Sequence, residues 1–491
     1  MLGSWQTHAD YQRQMVARLT LAARTNPFAC LEYESSISKL YILNLDLLKP
    51  VIAPLYPAIG RPSKNQPEIF RSIILMNDLG YSLDKWIVKL PLCPVLQIAC
   101  GFCGNLPGVA SYYDFIDRII KLDEKPRVKP KKRKPKKKYG KEKMPHKRKG
   151  IVQKLVGRIL KGRRFNKRPE RLLQEIFAVV CVQQSIDMGL VPDALSISGD
   201  GTCIKTGASH YGRKTCGCAD FLCGCPRRFS DPNATWGWDS HNERYFYGYS
   251  GYFISTYNST LKLDLPLYLR LVDAKRHDSI SAVVALAEFK DLYPGLNVNA
   301  FISDSASDNY ATYNLLDKWG INAVIALNKT NKGNRTFPQC TVNNDGIPVC
   351  PAGHEMVRWG FCGNDRCRIK FRCPYATGRC ERSDACVHCS PSPYGRVVYT
   401  KPEWDLRLFT RIPRGSARFK SIMKERTAAE RVNNRILHHY GLENSKMRGK
   451  KRISFLATIA AFNVHLDAQL AKAKADGLIN FNALFAMNMA A

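Results

Sequence analysis

The chain has 491 residues, 45% of them hydrophobic, and a formal net charge of +34. That length holds two or three domains with their own cores, and that apolar content excludes a largely disordered chain. A positive excess of this size repels itself and needs a polyanion to offset it; this excludes an ordinary small-molecule enzyme and makes nucleic acid the expected partner.

No amphipathic basic helix or lipidation motif accompanies the charge, and no run of ~20 apolar residues interrupts it. The first residues lack the basic start and apolar run of a secretory signal. The expectation is a protein off the membrane, in the cytoplasm and associated with the nucleoid.

In chain order, residues 1–123 are expected as a helical N-terminal domain. Pro67 to Met76 carries apolar residues at helical spacing behind a proline start, and Tyr112, Phe115, Ile116 and Ile119 repeat that spacing. Residues 124–168 are dominated by Lys and Arg, as in KPRVKPKKRKPKKKYGKEKMPHKRKG, and are expected as a flexible basic linker that tracks DNA phosphates.

Residues 169–329 predict the first part of a catalytic core. An amphipathic helix over 170–190 precedes a strand from Ala194 to Gly199 that ends at Asp200. Strands at Tyr245–Ile254 and Leu265–Val272, a helix over Ile280–Phe289, a strand at Val298–Ser303 ending in Asp304, a helix around Tyr310–Trp319 and a strand at Ala323–Leu327 follow. The order β-β-β-α-β-α-β predicts an α/β fold, with a mixed sheet of ribonuclease H type. Residues 330–400, rich in Cys, Gly, Pro and Asn, break the pattern and are expected as a Cys-rich insertion. Residues 401–491 return to helical spacing over Ala417–Leu437 and Ile453–Ala473 and complete the core.

Three acids carry the chemistry in combination. Asp200 and Asp304 each end a strand, and Glu430 lies four residues after Arg426 on one helix face. Singly, each has a plain alternative: a turn aspartate, a helix N-cap and a solvated ion pair. Together, three carboxylates on rigid elements suit two Mg²⁺ ions ~3.5–4 Å apart, the arrangement that serves in-line phosphoryl displacement. Asp308 is a rival to Asp304.

Gly199-Asp200-Gly201-Thr202, Ile302 to Asp308 and Glu425 to Arg431 resemble the three acidic blocks of bacterial insertion-sequence DDE transposases. Phe70 to Leu75 and Tyr113 to Arg118 resemble their helical domain. The resemblance implies a ribonuclease H-like core, catalytic Mg²⁺ or Mn²⁺, and DNA cleavage and strand transfer. It also implies binding of double-stranded DNA at terminal inverted repeats, through an N-terminal domain that binds DNA ends, and a homodimer in the synaptic complex. Asp200, Asp304, Glu430 and Arg426 take the catalytic positions. Where the family often has a Tyr and a Lys around the last block, this chain has Met423 and Leu437, with Lys446 or Lys450 as replacements. A nuclease of the same fold and a zinc-dependent DNA-binding protein without activity are the rival classes.

The chain has 18 cysteines and 10 histidines, so any zinc site is expected to be mainly thiolate. Cys350, His354, Cys373, Cys380, Cys386 and Cys389 are expected as structural Zn²⁺ ligands, within a cluster that also includes Cys340, Cys362 and Cys367. Cys216, Cys218, Cys223 and Cys225 form a second cluster, open between metal site and free thiols. Cys30, Cys93, Cys100, Cys103 and Cys181 read as buried apolar residues. Trp236 and Trp238 are the aromatic residues best suited to touch DNA.

Overall fold

A computed structural model describes residues 1–121, 127–129, 149–163, 170–240, 242–328, 335–337, 340–362, 366, 368–387 and 389–484. Its centre is a mixed sheet. β1 (Leu195–Lys205), β2 (Arg244–Asn258), β3 (Leu263–Asp273), β4 (Val298–Ser303) and β5 (Asn322–Ile325) lie in the order β3-β2-β1-β4-β5. The first three are antiparallel; β4 and β5 run parallel to β1. A further strand, Thr235–Asp239, pairs with the start of β2 on the edge away from β1. The mixed α/β class is as expected, with the elements in the anticipated order.

The helices flank this sheet. α1 (His8–Thr25) starts on a Thr7 cap that accepts from the Asp10 amide, and α2 (Gln66–Asp78) has proline in its first turn, where no N–H is needed. α3 (Val109–Ile120) closes this helical layer. α4 (Ile151–Ile159) follows the basic stretch, and α5 (Asp278–Leu292) and α6 (Tyr310–Lys318) alternate with strands. α7 (Thr427–Asn434) packs on β1, β2 and β3. α8 (Lys450–Ala475) is a 26-residue helix buried on almost every side.

α8 replaces the expected independence of the N-terminal helices with a shared interior. It packs on α2 and α3 as well as on β3, and the buried residues of the helical layer and the sheet form one continuous apolar cluster. Asn463 donates to the Ile74 carbonyl at 3.1 Å and to Asn77 at 3.0 Å, while Lys39 sits 2.6 Å from both Asp78 and Asp467. By length and hydropathy α8 matches a membrane span, but 94% of its apolar window is buried in the protein, as for a core helix.

Two other expectations change. Within the stretch expected as a linker, α4 places Val152, Leu155, Val156 and Ile159 against Val283 and Leu315. These four follow the i, i+3, i+4, i+7 spacing of a buried helix face, which the surrounding charge obscures. Residues 122–126, 130–148 and 164–169 of that stretch lie outside the described residues.

The Cys-rich insertion contains two small antiparallel sheets and an apolar core of its own, including Val342, Met356, Ile369, Phe371 and Val398. It therefore does not depend on metal alone for order. Of the cysteines read as apolar filling, Cys30, Cys100 and Cys181 are buried, but Cys93 is only partly covered and Cys103 is exposed.

Candidate functional site

β1 does not stop at Asp200. Its antiparallel pairing with β2 continues through Lys205, so Asp200 sits mid-strand opposite Phe253. What stops is the parallel neighbour: the β1–β4 ladder ends at Ser198 opposite Ile302. Asp200 and Asp304 each lie two residues beyond that last pair, at the carboxyl end of two adjacent parallel strands. In open α/β sheets this is where backbone diverges and ligands enter.

Asp304 caps a short 3-10 turn, Ser305–Ser307, accepting from the Ala306 amide at 3.1 Å. Among the described residues its hydrogen bonds all fall on Oδ1. Capping and site membership are thus compatible.

Side chains alternate across a strand, so Gly199 and Gly201 point to the face opposite Asp200. A Cβ on Gly199 would lie 2.3 Å from the Tyr252 hydroxyl, and one on Gly201 would lie 2.4 Å from a carboxylate oxygen of Asp278. The two glycines let the Tyr252 hydroxyl and the Asp278 carboxylate reach the backbone on either side of Asp200. Asp278, the first residue of α5, thus approaches β1 from the face opposite the Asp200 side chain, near enough to raise Asp200 electrostatically. In sequence it looks only like the acidic first turn that helices favour.

Among the described residues these acids do not gather as tightly as metal ligands, but they lie within electrostatic reach of one another. Burial pushes the Asp200 carboxyl up to about 7, with Asp304, Asp278 and Glu430 adding to the rise and Arg426 opposing it. Burial, then Asp304, also raises Asp278, against a smaller pull from His277. The Tyr252 phenol is driven far above its usual range by burial and by Asp278, Asp200 and Asp304.

α7 supplies the other side. Asn433 donates to Asp200 Oδ2 at 3.0 Å, and its own Oδ1 is buried with no hydrogen-bond partner among the described residues. Glu430 is half exposed and paired with Arg426 at 2.6 Å, so this acid lies at the rim with its charge held by the arginine. Asp308 is elsewhere engaged: it binds Arg407 through both oxygens at 2.8 and 2.6 Å, accepts from Tyr313 at 3.0 Å and accepts from the Asn328 amide at 2.7 Å. With no exposed side-chain surface, Asp308 is a structural residue. Met423 packs in an apolar cluster, Leu437 is buried, and Lys450 pairs with Glu170; of the basic replacements, Lys446 remains exposed.

A separate centre lies in the loop between β1 and Thr235. The thiols of Cys216, Cys218, Cys223 and Cys225 all lie within 4.8 Å of one another. Sγ of Cys216 and Cys223 are 3.5 Å apart, and those of Cys218 and Cys225 are 3.7 Å apart. A tetrahedral metal with thiolate bonds of about 2.3 Å has sulfur–sulfur edges of about 3.8 Å. A hydrogen bond from the Cys218 amide lowers the Cys216 thiol to about 7, whereas bonds with Cys218 and Cys216 raise Cys225 to about 12. The quartet therefore accepts a first thiolate and resists the last unless a cation joins it.

Among the described residues this is the sole group of three or more candidate ligands so tightly gathered. Cys350, Cys373 and Cys386 lie near enough to raise Cys380, after its burial, but these thiols, His354 and Cys389 form no comparable group. Cys367 and His388 lie outside the described residues. The signal that marks the tighter cluster is its pair of Cys-Gly-Cys steps, seven residues apart, which a hairpin folds together.

Trp236 and Trp238 on the edge strand and Tyr245 near the start of β2 are exposed, whereas Tyr249 and Tyr252 are buried. No protein-family model matches the chain, and no curated protein matches it significantly.

Proposed function

We propose that the chain is a DDE-type DNA transposase with a ribonuclease H-like catalytic core, performing metal-dependent strand cleavage and strand transfer. The observation that carries this reading is the pairing of Asp200 and Asp304 across the end of the parallel ladder, with Asp278 and Glu430 in electrostatic reach. Four acids in electrostatic reach of one another, in a strongly basic protein, support the reading of a cation site.

The donor set fits Mg²⁺ or Mn²⁺. It is made of hard oxygens, its most buried acid is held well above the carboxylate range, and Asn433 Oδ1 adds a buried oxygen with no partner among the described residues. Asp200, Asp304 and Glu430 would hold the ions, with Asp278 beside them. Such ions supply activation of the attacking oxygen and neutralisation of the leaving one. Asn433 orients Asp200 through Oδ2. Arg426 neutralises Glu430 and, turned toward DNA, holds a phosphate. No histidine base is required at this site. The thiolate quartet fits structural Zn²⁺. Terminal inverted repeats, joined in a synaptic homodimer, are the substrate in this reading.

The test is cleavage and joining of duplexes that carry the element's ends, with Mn²⁺ or Mg²⁺. Wild type should yield both nicked and joined products. Asp200→Ala, Asp304→Ala and Glu430→Ala should each fall to background while DNA binding persists. Cleavage without joined products would identify a nuclease of the same site. Binding without any metal-dependent cleavage in wild type would sink the enzymatic reading.

Gly201→Ala offers a subtler check. The new methyl would force the Asp278 carboxylate away from β1. Loss of such an outer support costs metal sites roughly 10–100-fold in affinity. Calorimetric titration with Mn²⁺ should show that weakening with an unchanged circular dichroism spectrum; unchanged affinity would remove Asp278 from the site.

A further inference from the structure

The thiolate quartet closes a knuckle whose surroundings are cationic. Its base is a three-stranded sheet in which Arg227–Arg228 pairs with Arg213–Lys214 on one side and with Val128–Lys129 on the other. Two of these cations serve the knuckle itself. Lys214 donates to the carbonyls of Cys218 and Asp220, and the buried Arg227 donates to the Phe221 carbonyl and lies over the Phe221 ring.

Arg213 and Arg228 face solvent. Arg213 and Arg228 are direct cross-strand partners, both exposed, and neither has an ion pair among the described residues. Like charges placed opposite each other on a sheet repel. The nearby acid Asp220 is exposed and caps its own turn, accepting from the Leu222 amide at 2.7 Å. Such a pair is satisfied by an anion from outside. Beside it stands a partly exposed aromatic step, with the His210 ring 3.8 Å from that of Tyr211 and 4.7 Å from that of Trp236.

We propose that the Cys216–Cys225 knuckle is a metal-dependent clamp on the DNA phosphate backbone, with Arg213 and Arg228 as its phosphate contacts. It also holds two residues of the basic run. Val128–Lys129 is a strand of the knuckle sheet, and α4, docked on α5 and α6, receives the chain at the far end. The metal sets the loop geometry, the loop presents the arginines, and counterion release from the phosphates provides affinity. This inference rests on the proposed reading for the identity of the polyanion, but not for the metal.

The experiment uses the full-length chain, a duplex of about 30 base pairs and no Mg²⁺ or Mn²⁺, so that binding is read apart from cleavage. Zinc content is measured directly, and Co²⁺ exchange is followed by its thiolate charge-transfer band. Wild type should carry one thiolate-bound metal at this site, absent in Cys216→Ser/Cys225→Ser, which should also bind DNA more weakly. Arg213→Ala/Arg228→Ala should keep the metal yet lower the slope of log affinity against log salt by roughly two, since each phosphate contact contributes about 0.9. Absence of the cobalt band from wild type, or an unchanged salt slope in the arginine variant with metal retained, would overturn the clamp. Failure of wild type to bind any duplex would overturn the nucleic-acid reading as well.

Discussion

Asp200→Asn is expected to stabilise the metal-free protein at pH 8 while removing its response to Mn²⁺. The Asp200 carboxyl rises from 3.8 to about 7 in the folded protein, chiefly through burial and then through Asp304. Between those values the folded state holds a proton that the unfolded chain has released. Stability therefore falls as pH rises through that window, and the full penalty is present above about pH 7. A shift of this size corresponds to roughly 3–5 kcal/mol. An amide keeps the Asn433 contact available without the charge. The thermal midpoint of Asp200→Asn should thus exceed that of wild type at pH 8, with the gap closing toward pH 5. Mn²⁺ should raise the wild-type midpoint and leave the variant unmoved. A variant less stable than wild type at pH 8 would show that the Asp200 charge is already balanced by the protein.

Asp308→Ala should do the opposite and damage the fold. Asp308 and Arg407 are both almost fully buried, at 0% and 3% side-chain exposure. Removing one member of a buried pair leaves the other charge uncompensated, at a cost of about 3–5 kcal/mol. Asp308→Ala/Arg407→Met should recover a large part of it, because the stranded guanidinium is then gone. Asp304→Ala, by contrast, removes only a turn cap, worth about 1 kcal/mol. Urea unfolding of the three variants separates the neighbouring acids. Comparable losses for Asp304→Ala and Asp308→Ala would contradict the division between a site residue and a structural one.

The central sheet was legible because its strands are apolar runs punctuated by turn residues, and because apolar spacing switches from strand to helix period after Asp273. Asp200 shows where that reading stops. Asp-Gly after an apolar run reads as a strand end, yet the long partner β2 carries β1 five residues further. The divergence of β4, not a turn, is what opens the site. Asp278 stayed hidden for another reason: an acid at a helix start is ordinary, and only the glycine across from it reveals the approach. Glu430 and Arg426 fell on one face, as their spacing predicts, but spacing says nothing of the burial that sets Asp200 apart. Among the cysteines, Cys386 and Cys389 have the two-residue spacing that zinc sites favour, whereas the hairpin that gathers the Cys-Gly-Cys steps is a three-dimensional fact.

The central position of α8 has a consequence for how the chain is made. Its contacts reach back across most of the sequence; the Asn463–Asn77 hydrogen bond spans 386 residues. During synthesis, the helices of the first 120 residues and the first strands of the sheet leave the ribosome long before the helix that covers both. Native structure built on contacts so distant in sequence forms slowly, and the apolar surfaces waiting for α8 are the ones open to aggregation or chaperone capture in the interval. A ribosome stalled before residue 450 would release a chain with its carboxylates already synthesised and its interior still open.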